Sequence, residues 1–167
     1  MKRFPTTQAG AALMLLLLAA APPLHADEGA LQSRMDAYVV EVDDEGNERV
    51  RPANEVEPGA MIEWRIVFDN TASSPQQDLV VTGPVPPNTE YVADSARTEV
   101  PGRLTVSIDG GQTFEPEPVK RRRATDDGRV REVVVPASEY THLRWQASEP
   151  IRGFASQEYR YRVRVTR

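Results

Sequence analysis

The chain has 167 residues with a formal net charge of −5, and it contains no cysteine and two histidines. The missing cysteines exclude disulfides, thiolate nucleophiles, Cys-type zinc sites and a lipid-modified N-terminal cysteine. The acidic balance argues against generic binding to nucleic acid or an anionic membrane.

Residues 1–26, MKRFPTTQAGAALMLLLLAAAPPLHA, have the make-up of a secretory signal peptide. Lys2 and Arg3 form a basic start, and residues 11–21 are an unbroken apolar run. Pro22 and Pro23 end the run, and Ala26 offers a small residue before Asp27. The run is shorter than the roughly 20 residues a bilayer requires, so cleavage is expected, and the general secretory route is preferred because no twin-arginine pair is present. The leader carries two bases and no acid, which leaves residues 27–167 with 18 bases against 25 acids, a balance of −7. His25 departs with the leader, so any zinc or Ser-His-Asp chemistry would centre on His142 alone. Residues 27–167 are expected to form one domain with a single core, since a chain of that size buries roughly 68–70% of its unfolded surface.

The mature sequence shows almost no helical stripe but repeated period-two alternation. Residues 36–43 gather Tyr38, Val40 and Val42 on one side. The acidic stretch Asp43-Asp44-Glu45-Gly46-Asn47 follows. It has the carboxylate density of a calcium loop, but the twelfth position is Asn54 rather than a bidentate Glu, so a solvated hairpin tip leading to residues 49–51 is expected. After a Glu57-Pro58-Gly59 turn, residues 61–69 (MIEWRIVFD) place Ile62, Trp64, Ile66 and Phe68 on one face and Glu63 and Arg65 on the other. Residues 79–82, 104–108, 129–135 and 141–146 are strand-like, the last with Leu143 and Trp145 in phase. Pro86-Pro87-Asn88, Asp109-Gly110-Gly111 and Asp126-Asp127-Gly128 are turn signals between them. The end of the chain is strictest: Tyr159, Tyr161, Val163 and Val165 alternate with Arg160, Arg162 and Arg164. Seven to nine such strands predict an all-β, immunoglobulin-like antiparallel sandwich, with Trp64 and Trp145 in its core.

Residues 56–70 (VEPGAMIEWRIVFDN), 79–89 (LVVTGPVPPNT) and 91–95 (YVADS) resemble successive elements of a bacterial conserved-repeat family, catalogued as domain of unknown function eleven. Leu143-Arg144-Trp145 and the last strand extend the resemblance more weakly, to about residues 47–167. It implies an immunoglobulin-like sandwich on secreted or surface proteins, often in tandem, and no activity. This chain departs from the common case in carrying one copy and no anchor.

Two local motifs stand out. Ser107-Ile108-Asp109-Gly110-Gly111-Gln112-Thr113-Phe114 resembles the Asp-box, S-x-D-x-G-x-T-W, with Phe114 in place of Trp. Ser107, Asp109, Gly111, Thr113 and Phe114 are therefore expected to build a structural hairpin turn, with Asp109 accepting backbone N–H bonds and the aromatic packed beneath. Lys120-Arg121-Arg122-Arg123 is the one basic run. Its plainer reading is a wet loop, and its functional reading is a site for a polyanion or acidic polysaccharide, whose anionic groups match guanidinium forks. No phosphate-cradling loop is present, and nothing in the spacing selects a glycosidase carboxylate pair from 25 acids. His142 is expected on an outer face.

These observations predict a non-enzymatic module of the periplasm or extracellular space that binds a protein partner through a sheet edge or loops. No cofactor, catalytic residue or metal ligand is nominated. Carbohydrate or polyanion binding through residues 120–123 is the alternative, and a secreted hydrolase the remote one.

Overall fold

A computed structural model describes residues 29–124 and 128–166. The expected leader and the Asp126-Asp127 turn lie outside the described residues. Eleven strands follow one another: β1 (Leu31–Val42), β2 (Glu48–Pro52), β3 (Met61–Asn70), β4 (Val80–Pro84), β5 (Thr89–Tyr91), β6 (Arg97–Thr98), β7 (Gly102–Ser107), β8 (Lys120–Ala124), β9 (Val130–Val134), β10 (His142–Ala147) and β11 (Ser156–Val165). Every named pairing is antiparallel. The larger sheet runs β2-β1-β3-β11-β5, with β6 also on β11, the second is β4-β10-β7, and β8 and β9 form a separate ribbon. The β-sandwich architecture expected from alternation is present. The strand number exceeds seven to nine because β5 and β6, of three and two residues, are too short for periodicity to resolve, and β8 is a basic run without apolar alternation.

The core is built where alternating strands align. Ile62, Trp64 and Ile66 of β3 stand opposite Val163, Tyr161 and Tyr159 of β11, and opposite Val39, Ala37 and Met35 of β1. From the second sheet come Leu143 and Trp145, flanked by Val106 and Leu104 on one side and by Gly83 and Val81 on the other. The Trp145 ring lies 5.7 Å from Tyr159 and 6.0 Å from Tyr161, both tilted. Each of these buried aromatics contributes about 1.5–3 kcal/mol by leaving water. Gly83 makes room for one of them, since a Cβ there would lie 2.6 Å from the Tyr161 ring. The Tyr161 hydroxyl donates to the Pro84 carbonyl, and burial pushes its pKa well above the usual phenol range.

At the far end of β3, buried Asn70 fastens two loops. Its amide donates to the carbonyls of Ser74 (2.8 Å), Ile151 (3.2 Å) and Arg152 (3.1 Å), and its oxygen accepts from the Ala72 N–H (3.1 Å). The same loops meet at Gly153, where a Cβ would sit 2.0 Å from the Ser73 carbonyl oxygen.

Three expectations need correction. In β1 the residue in the main core cluster is Val39, with Ala37 packed against that cluster, not Tyr38, Val40 and Val42; Val40 is buried outside it, Val42 is exposed and Tyr38 faces outward. DAYVVEVD has apolar residues in both phases (Tyr38, Val40 and Val42 in one, Ala37 and Val39 in the other), so alternation within it pointed to the phase with more of them, and pairing with β3 selects the other. Tyr38 is instead capped by the Arg65 guanidinium, 4.6 Å above its ring. Trp64 is half-buried at the edge of the core, while Trp145 is fully inside. The basic run is a strand, β8, rather than a loop.

The outer face of the larger sheet carries Glu63, only 5% exposed. A buried carboxylate is tolerable when paired, and Arg65 (2.7 Å) and Arg162 (3.0 Å) both reach it. Arg162 also forks onto Glu48 with two bonds of 2.7 Å, which ties β11 to β2 across the outer face and lowers the Glu48 pKa.

Candidate functional site

Three places draw on residues that sequence or structure singles out: the 107–114 turn, the β8–β9 ribbon and the margin of β1.

The turn closes on itself. Asp109 accepts from the backbone N–H of Gln112 (3.0 Å) and Thr113 (2.9 Å), from the Thr113 hydroxyl (2.5 Å) and from Ser107 Oγ (2.7 Å). Ser107 Oγ in turn accepts from Gly111 N–H (2.9 Å). Gly110 and Gly111 sit at φ of 77° and 86°, the left-handed region that favours glycine. The Val106–Glu115 bridge seals the base of the loop. The Thr113 side chain, then the Thr113 N–H and Ser107, hold the Asp109 carboxyl well below the usual carboxylate range. With these lone pairs committed inside the loop, the geometry is that of a turn. Phe114 is half-buried, with the Arg144 guanidinium 3.4 Å above its ring, so the aromatic is covered from the outer face of the second sheet rather than inserted into the core. His142 lies on that outer face too, with its ring about 3.3 Å from where a Gly111 Cβ would stand. Thr141 Oγ1 contacts its Nδ1 at 3.3 Å.

The acidic tip at residues 43–47 behaves similarly. Asp43 Oδ1 accepts from the N–H groups of Glu45 (3.1 Å) and Asn47 (2.9 Å), and Arg49 lies 3.1 Å from Oδ2. It is the β1–β2 hairpin turn that its composition predicts.

Strand geometry divides the basic run. Lys120 and Arg122 project to one side of the ribbon, Arg121 and Arg123 to the other. Among the described residues, carboxylates meet three of the four: Glu132 lies 3.2 Å from Lys120, Glu115 accepts two hydrogen bonds from Arg121, and Glu139 accepts two from Arg123 (2.7 and 2.5 Å). The pairing lowers the pKa of Glu115 and Glu139. A polyanion would have to displace these partners, so the four bases do not form one open cationic surface. Beside Lys120 and Arg122 the ribbon shows Val130 and Val134, each 58% exposed.

The third place had no motif to announce it. Residues 38–40 of β1 pair with β2 on one side and β3 on the other and residues 41–42 with β2 alone, but residues 31–37 pair as a strand with β3 alone. The Ala53 N–H bonds the Ala37 carbonyl (3.0 Å) on the β2 side. Backbone groups alternate along a strand, so those of Leu31, Ser33 and Met35 point to the same side. Among the described residues no strand meets them there. Beside this margin runs a groove of about 430 Å³ lined by Met35, Ala37, Pro52, Ala53 and Trp64 among others. Met35 is 37% exposed, and the buried Trp64 indole N–H has no hydrogen-bond partner. An open strand margin with a partly apolar groove beside it can accept an extended segment, with main-chain bonds for affinity and alternate side chains for selectivity.

No family model, curated protein or solved structure matches the chain. The reading of function therefore rests on the chain's own residues.

Sequence reasoning missed the β1 margin because an edge is a property of pairing. The structure shows it as a difference in length: β1 has 12 residues, whereas the arm that returns along it, β2, has five.

Proposed function

We propose that the mature chain is a secreted, non-enzymatic β-sandwich that binds a protein partner in the periplasm or extracellular space. In this reading it accepts an extended segment of the partner along residues 31–37 of β1. The single observation that carries it is the row of backbone groups at Leu31, Ser33 and Met35 that no strand meets among the described residues. The leader-like residues 1–26 support secretion, and the resemblance to the conserved-repeat family supports a role as a module rather than a catalyst. Carbohydrate or polyanion binding is the weaker reading, because acids already occupy three of the four bases in 120–123.

The test is affinity capture from the native envelope fraction with the domain beginning at Asp27, at low salt and at 0.5 M salt, beside its Ser33→Pro and Arg122→Ala variants. Proline at residue 33 removes an N–H that faces the open margin and spares the bonds to β3. A protein captured at both salt concentrations by wild type and Arg122→Ala, but lost with Ser33→Pro, supports the proposal. Equal capture by Ser33→Pro overturns the β1 margin as the site. A glycan captured only at low salt and lost in Arg122→Ala moves the function to the ribbon.

A further inference from the structure

No further inference is drawn: the strongest candidate, the small apolar cavity of about 170 Å³ bordered by Ala37, Ala53, Trp64 and Val163 at the end of the sandwich, adjoins the β1 margin already described, and nothing in the structure shows what covers it.

Discussion

The two halves of β1 make an instructive pair. Residues 38–42 all pair with β2, residues 38–40 are held between β2 and β3, and Val39 enters the core beside Ile62. Residues 31–37 lie on the same β3, yet their other margin meets no strand among the described residues. One strand thus has two kinds of margin: its second half uses its backbone groups within the sheet, and its first half leaves a row of them unpaired by any strand among the described residues, the row we propose receives a partner. The first half rests on β3 alone, and β3 is itself anchored on its far side. Tyr159 and Tyr161 of β11 back the same stretch of β3, and Asn70 fixes its end opposite Leu31.

The largest expected effect comes from removing that backing. Tyr161→Ala empties a fully buried site between Trp145 and Gly83, and should lower the free energy of unfolding by about 3–5 kcal/mol in urea titrations. Asn70→Ala comes next. It leaves the carbonyls of Ser74, Ile151 and Arg152 without their shared donor and should cost about 1–3 kcal/mol by the same measurement. Hydrogen exchange should show the loosening first near Leu31, at the half of β1 that has one neighbour.

A proline pair separates the halves most cleanly. Glu41 and Ser33 are both exposed and share the same strand phase, but Glu41 stands opposite Arg49 of β2 whereas Ser33 faces the open margin. Glu41→Pro should destabilise by at least ~1 kcal/mol more than Ser33→Pro in thermal or urea unfolding, because one of the two prolines removes a ladder bond. Equal costs would mean that the two halves are bonded alike.

The smallest effect, and a control remote from β1, concerns acid. The folded Asp109 carboxyl titrates below its unfolded value of about 3.9, so it contributes stability above that pH and loses it as pH falls through the lower folded value. Asp109→Asn removes this contribution. Its destabilisation relative to wild type should be full at pH 7 and shrink on titration below pH ~4, while the β1 exchange pattern stays unchanged.

Much of the fold was legible from period two alone. β3, β10 and β11 each have one apolar and one polar phase, so their faces were determined without a structure. The 107–114 turn was legible because Ser107, Asp109, Gly111 and Thr113 bond one another within seven residues. β1 was ambiguous because apolar residues stand in both phases over 37–42, and the register against β3 decides. The basic run misled for a related reason. Four adjacent bases read as one patch, but a strand sends neighbours to opposite sides, and the partners of Arg123 and Lys120 lie 16 and 12 positions along the chain. The proposed site was the least visible, since an open edge depends on where other strands stop.

The measurement that tests the central claim most directly is residue-resolved amide hydrogen exchange across β1, free and in the presence of the captured partner. The account predicts an alternating pattern in the free domain. Ser33 and Met35 exchange quickly, Arg34 and Asp36 slowly, and Val39 and Glu41 slowly as well. Addition of the partner should slow Ser33 and Met35 selectively. Slow exchange at Ser33 and Met35 in the free domain, or no change there when the partner binds, would contradict it.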